Sequence, residues 1–294
     1  LNKPLTARLA QLAHLPAPLR ILAFLLLLGC CWLPLAGFIA LWSRNANQTT
    51  IWTMALLFMG FLLLMQRWGR WLYQEPQIFR TYGLGFGRDS RRELLLGLGT
   101  GLACLMLMFG LYGGLGWLDW QQPSGLGHGL GRIALEGLLV AAGVALAEEL
   151  VFRGWILDEL ERDYRPPVAL WISSLCFAVL HFIKPLPEVI RTLPQFPGLL
   201  LLGLILVWMK RSTQSQRRSS DSLITRPGRL ALPIGLHAGL IWGYYLVDVG
   251  QLAELNQAAP EWLTGIDGNP LAGVIGLLCL GGLAFYWRRQ AIQV

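Results

Sequence analysis

Eight stretches of the chain are apolar almost without interruption: residues 21–42, 51–68, 94–118, 133–152, 168–183, 198–209, 230–247 and 271–287. An α-helix needs about 17 to 25 such residues to cross a bilayer, and the polar positions collect in the segments between the runs. The pattern predicts an all-α protein, a polytopic transmembrane helical bundle of about eight helices. The sixth run, only about a dozen residues, has the length of a re-entrant or interfacial segment. It is kept as a crossing element because of the charges. Taking the connecting segments alternately places 20 of the 24 Lys and Arg residues on one side and 4 on the other, and removing the sixth run spoils that alternation. Positive residues gather on the cytoplasmic side, so an integral, multi-pass protein with both termini cytoplasmic is expected.

Composition agrees with the pattern. The chain is 54% hydrophobic and 14% charged, with a mean hydropathy of +0.50, whereas a soluble domain carries about 25% charged residues. The net charge of +7 falls almost wholly on the inner surface, where anionic lipid headgroups account for it. Membrane lipid is therefore a partner, and nothing in the pattern calls for nucleic acid. Residues 20–30 loosely resemble a signal-peptide core, but the apolar run continues to Trp42, so a first spanning helix is the better reading. The chain starts at Leu1 rather than Met, and a few starting residues are expected to be missing or removed. Cys30, Cys31, Cys104, Cys176 and Cys279 all lie in apolar runs without paired spacing and read as packing residues.

Three segments follow. Residues 1–132 hold three transmembrane helices and a basic cytoplasmic loop, residues 133–247 a core with catalytic character, and residues 248–294 an outer loop and a last transmembrane helix. Gly97, Gly99, Gly101, Gly110 and Gly114 lie inside an apolar span, where small residues let helices approach one another, and no strand precedes them as a dinucleotide site requires. Pro185, Pro187, Pro194 and Pro197 predict an irregular outer segment. The serine- and arginine-rich stretch 210–229 reads as a mobile cytoplasmic loop insertion.

The fourth run, LLVAAGVALAEELVFR over residues 138–153, breaks the apolar pattern from within. Glu148, Glu149 and Arg153 are ionisable groups in hydrocarbon, and such residues mark functional sites. Ala141, Ala142, Gly143, Ala145 and Ala147 precede them and admit a close neighbour. Helical spacing continues through residues 154–163, where Asp158, Glu159, Glu161, Arg162 and Asp163 are expected to form a solvated face. Arg165-Pro166-Pro167 then ends the helix. Glu148 lies 17 residues before Arg165 and His181 lies 16 after it, so each is roughly 25 Å from the turn of an αα-hairpin. The two sit level. His237 is carried about 10 Å into the seventh helix. His14 and His128, in flank and loop, stand apart from this set.

Each member has an ordinary reading alone: Glu149 and Arg153 as a neutralising pair one turn apart, each histidine as a hydrogen-bonded core residue. Together they make a site. A carboxylate beside an imidazole acts as general base on water, and a second imidazole presenting an N–H stabilises an oxyanion; amide hydrolysis follows from that set without a cofactor. Two histidines and a carboxylate also hold zinc in some enzymes, although no HExxH occurs here. A third alternative is a membrane scaffold or assembly partner that keeps the polar network for packing specificity.

At these residues the chain resembles the CAAX protease and bacteriocin-processing family of intramembrane glutamic endopeptidases. Glu148-Glu149-Leu150-Val151-Phe152-Arg153 matches its EExxxR motif, Phe177-Ala178-Val179-Leu180-His181 its FxxxH motif, and the stretch around His237 its third histidine region. The resemblance implies that Glu148 and His181 activate water near the cytoplasmic membrane face, that His237 lines the oxyanion hole, and that Glu149 and Arg153 support the site. It implies no cofactor and no metal, and a peptide or membrane-protein substrate. The family usually places Asn or Asp four residues after the last histidine, where this chain has Ile241; losing one oxyanion donor typically costs about 10²- to 10³-fold in rate. Trp242 has a donor but points about 140° away from the His237 face, and Tyr244 shares that face two turns on.

Overall fold

The computed structural model describes residues 11–121, 129–219, 222–256 and 258–293, leaving His128 outside. Each of the eight apolar runs is helical over most of its length: α1 (Ala17–Trp42), α2 (Ala46–Leu72), α3 (Arg88–Gly114), α4 (Gly129–Glu161), α5 (Pro166–Leu180), α6 (Phe196–Ser212), α7 (Ala231–Asp248) and α8 (Val274–Ile292). Five helical stretches are long and apolar enough to cross a membrane: α1 to α4, and Leu186–Ser212, which includes α6. The protein is an all-α polytopic bundle. Its strands are confined to two short antiparallel ribbons among the described residues, β1 (Leu118–Trp120) with β4 (Ala253–Leu255), and β2 (Ser215–Ser219) with β3 (Ser222–Arg226).

Two expectations change. The proline-rich stretch before α6 is largely helical, with Leu186–Thr192 and a 3-10 turn, Leu193–Gln195, leading into α6. Pro187, Pro194 and Pro197 all occupy first-turn positions, where a missing N–H costs nothing. The segment 210–229, expected to be an irregular loop, begins inside α6 and carries the β2–β3 ribbon.

The chain forms two compact units. The first joins the described residues up to Thr81 with Asp158–Arg165. Its two long helices form a hairpin, with Asn45 capping α2 by accepting from the amides of Asn47 and Gln48. Glu159 corrects the expectation of a solvated face. It is fully buried and accepts from Arg20 Nε at 2.8 Å, Trp68 Nε1 at 3.1 Å and Tyr73 Oη at 2.5 Å. Burial and the Glu159 charge hold the Tyr73 hydroxyl well above its ordinary pKa, so it remains a donor. Asp163 receives the amide of Ala17 at 2.6 Å, capping α1 from a distant part of the chain. A charge leaves water when its partners are provided, and here α1 and α2 provide them.

The second unit, Tyr82–Leu157 with Pro166–Val294, holds the candidate site. Its tightest seam is between α3 and α7. A Cβ on Gly97 or Gly101 would lie 2.3 or 2.4 Å from the carbonyls of Leu232 and Leu236, and one on Gly235 or Gly239 would lie 2.2 or 2.3 Å from those of Leu94 and Leu98. Only glycine lets the two backbones meet, and the register shows that α3 and α7 run parallel. The sequence reading of Gly97 and Gly101 as packing positions matches this seam; Gly99, with nothing within 4 Å, takes no part in it.

Candidate active site

α4 and α7 run antiparallel. Gly137 lies against the Tyr245 ring, and Trp242 Nε1 donates to the Ala134 carbonyl at 2.9 Å. Three turns further along α4, that register sets Glu149 opposite His237. Glu149 Oε1 accepts from Arg153 Nη1 at 2.8 Å and meets His237 Nδ1 at 2.9 Å. Since a carboxylate only accepts, His237 carries its hydrogen on Nδ1 and turns Nε2 away from Glu149. Glu149 and Arg153 are both fully buried.

Directly after the two glutamates the helix loosens into a π-helical stretch, Leu150–Ile156. Two of its carbonyls are taken by neighbouring helices: Ser173 Oγ donates to Phe152 at 3.0 Å and the buried Lys210 Nζ to Arg153 at 2.6 Å. Such i→i+5 segments are uncommon and concentrate at functional sites.

α5 enters through Phe177, whose side chain is fully buried. Its ring lies 4.2 Å under the Arg153 guanidinium, 4.6 Å from the His181 ring and 6.0 Å from the His237 ring. Its carbonyl accepts from His181 Nδ1 at 2.7 Å, which leaves Nε2 of the neutral ring as an acceptor. The phenylalanine four residues before the histidine thus supports one side of the site and fixes the histidine's tautomer.

Both Nε2 atoms face Glu148. Oε2 of Glu148 lies 3.7 Å from His181 Nε2 and 3.9 Å from His237 Nε2, and it has no hydrogen-bond partner among the described residues. These separations exceed a direct hydrogen bond. The two glutamates are separated by environment: Glu149 is 0% exposed and tied to a cation, whereas Glu148 is 29% exposed and lines a cleft of about 550 Å³. His181, His237, Ile241 and Tyr244 line the same cleft. Among the described residues no group of three or more His, Cys, Asp or Glu side chains is arranged to hold a metal ion.

The structure therefore brings Glu148, Glu149, Arg153, His181 and His237 together. Sequence reasoning missed Lys210, taken as part of a basic loop, as well as Ser173 and the cleft-lining Lys184, Gln195, Tyr245 and Asp248. Lys210 follows an apolar run directly, and nothing local to it signals that its ammonium turns inward.

Residues 131–243 match the family described as Type II CAAX prenyl endopeptidase Rce1-like. The matched stretch contains all five side chains of the cluster, and the family is the one the three motifs resemble. It is a protease family, and with the long apolar helices it marks an integral membrane protein. No curated protein and no solved structure matches the chain.

Proposed function

We propose that this protein is an intramembrane glutamate-dependent endopeptidase in which Glu148 and His181 activate water for attack on a peptide bond. The observation that carries this reading is the contrast between the paired carboxylates: one is neutralised and sealed, the other is open to a cleft and faced by two imidazole nitrogens. Glu148 takes the proton of the attacking water, and His181 Nε2 accepts the water's second hydrogen and orients its lone pair. The proton taken by Glu148 passes to His237 Nε2, 3.9 Å away, with Glu149 balancing the charge through its contact with Nδ1–H. Nε2–H then faces the oxyanion and delivers that proton to the leaving amine as the C–N bond breaks. Arg153 balances the charge of Glu149 and keeps it from acting as a second base.

The substrate is a peptide or membrane-protein segment, in keeping with the endopeptidase of the family's description. Both termini and the basic ends of the helices are cytoplasmic. The scissile bond lies nearer that face, since His237 is about 9 Å along α7 from its basic end. Ile241 favours a second reading. It lines the cleft where the family usually has Asn or Asp, and an assembly partner that has lost proteolysis would keep the network without that polar group.

Comparing membrane-protein termini in cells with the native chain and with Glu148→Gln at equal abundance separates the two. Specific new termini that fall by at least about 10²-fold in the variant support the protease. Unchanged termini with altered partners or accumulation establish the scaffold.

A further inference from the structure

The π-helical stretch opens one gap in the backbone pairing of α4. The Leu157 amide is shared between the carbonyls of Phe152 and Gly154, and it passes over the carbonyl of Arg153 between them. A change from i→i+5 to i→i+4 pairing skips one carbonyl in this way, and a skipped carbonyl away from water needs another donor. Phe152, Arg153, Gly154 and Trp155 are all buried. Lys210 Nζ meets the skipped carbonyl at 2.6 Å.

Lysine is a costly donor for that place. Burying an ammonium costs far more than burying a hydroxyl, and a lysine at a helix end ordinarily extends its stem toward water or bonds the last carbonyls of its own helix. Lys210, in the last turn of α6 and 6% exposed, turns instead to the helix that carries Glu148 and Glu149. The same helix holds Arg153 a second time: the Gly203 carbonyl, two turns earlier on α6, accepts from Arg153 Nη2 at 3.3 Å. The arginine is thus tied by its main chain at one end and by its guanidinium at the other. The guanidinium contact is the long one, so the main-chain bond sets where the residue sits.

Resting on the endopeptidase reading, we infer that Lys210 is a positioning residue for His237, acting through Arg153 and Glu149. A single carboxylate oxygen carries the relay. Glu149 Oε1 accepts from Arg153 Nη1 at 2.8 Å and from His237 Nδ1 at 2.9 Å, while Oε2 is buried with no hydrogen-bond partner among the described residues. A shift of Arg153 along α4 lengthens the first contact and frees the carboxylate to turn, and the hydrogen on Nδ1 is then no longer held there. With both tautomers open, His237 Nε2, 3.9 Å from Glu148, is an acceptor for only part of the time. A ring that already carries its hydrogen on Nε2 cannot take the proton from Glu148 there. Lys210 touches no reacting atom; it sets the state of one that does. The Ser173 bond to Phe152 differs in kind, because that carbonyl keeps the Leu157 amide when the hydroxyl is removed.

The experiment uses the full chain, labelled with ¹⁵N in its four histidines and folded in detergent micelles. Ring-nitrogen resonances distinguish a protonated from a bare nitrogen, and His237→Gln identifies the pair that belongs to His237. At a pH where the ring is neutral, the native protein is expected to show His237 in the Nδ1–H form. In Lys210→Met the two resonances move toward each other as the tautomers exchange, and the Glu148-dependent termini fall by at least about tenfold at equal abundance. Ser173→Ala, which removes a buried hydrogen bond from the same stretch, keeps the native resonances and so separates positioning from a general loss of stability. Where Lys210→Met does not fold, Lys210→Gln decides: its amide is neutral and ends one atom short of the ammonium, and the same movement, smaller, is expected. Native resonances in the folded Lys210 variant overturn the inference, as do an equal movement in Ser173→Ala, native cleavage by Lys210→Met, or a native His237 in the Nε2–H form. Termini unchanged in Glu148→Gln overturn the endopeptidase reading instead, an outcome distinguishable because the resonances are read without substrate.

Discussion

Replacement of Arg153 by methionine removes the guanidinium and keeps most of the side chain's length. In the native protein that group is fully buried, donates to Glu149 at 2.8 Å and to the Gly203 carbonyl at 3.3 Å, and lies 4.2 Å over the Phe177 ring. Without it, Glu149 keeps His237 Nδ1 as its remaining described partner and becomes a buried, uncompensated carboxylate. Removing one member of a buried pair costs about 3 to 5 kcal/mol. At about 2 to 4 °C per kcal/mol for a unit of this size, thermal unfolding in detergent shifts down by roughly 10 °C. Charge, not packing, is the cause, so adding Glu149→Gln to Arg153→Met recovers at least about half of that loss. Glu149→Gln alone strands the arginine and is destabilising as well. An Arg153→Met protein that unfolds within about 2 °C of the native one would refute the reasoning, and so would a double variant showing the sum of the two single losses.

Gly239→Ala places a methyl group 2.3 Å from the Leu98 carbonyl. It forces α3 and α7 apart by about 1 Å two residues from His237, a displacement that costs on the order of 10²-fold in cleavage. Gly99→Ala, which meets nothing within 4 Å, leaves cleavage unchanged, and the two variants are compared by product formation at equal abundance. Ile241→Asn adds an amide to the cleft wall and raises the rate by about 10²-fold where that amide reaches the oxyanion; continued absence of product in this variant favours the scaffold. Lys210→Met withdraws the donor from the Arg153 carbonyl inside the π-helical stretch and lowers stability by about 1 to 3 kcal/mol, measured by thermal unfolding.

What the sequence makes legible follows from how local each constraint is. A spanning helix satisfies its own backbone, so the apolar runs mark the eight helices without knowledge of their neighbours. The hairpin arithmetic for Glu148 and His181 holds because helical rise is nearly constant, and the π-helical stretch between them alters it too little to spoil the match. Glu159 shows the limit. Its surroundings in sequence are as polar as any solvated face, and the groups that bury it lie 139, 91 and 86 residues away, at Arg20, Trp68 and Tyr73. Lys210 fails for the same reason: an amphipathic cation beside an apolar run looks the same whether it turns to water or to a carbonyl.

Ile241 joins the legible part to the illegible one. The Trp242 bond to the Ala134 carbonyl and the Gly235 and Gly239 seam together fix the rotation of α7. The isoleucine therefore lines the cleft one turn beyond His237 because the register is native, and no small twist of the helix brings a donor into its place. A replacement for the missing amide has to come from elsewhere on the cleft wall, and the described lining residues with side-chain donors are Lys184, Gln195, Tyr244, Tyr245 and Asn269. Restoring an amide at position 241 tests this directly, because it adds a donor one turn beyond His237 and leaves the rest of the cleft wall unchanged.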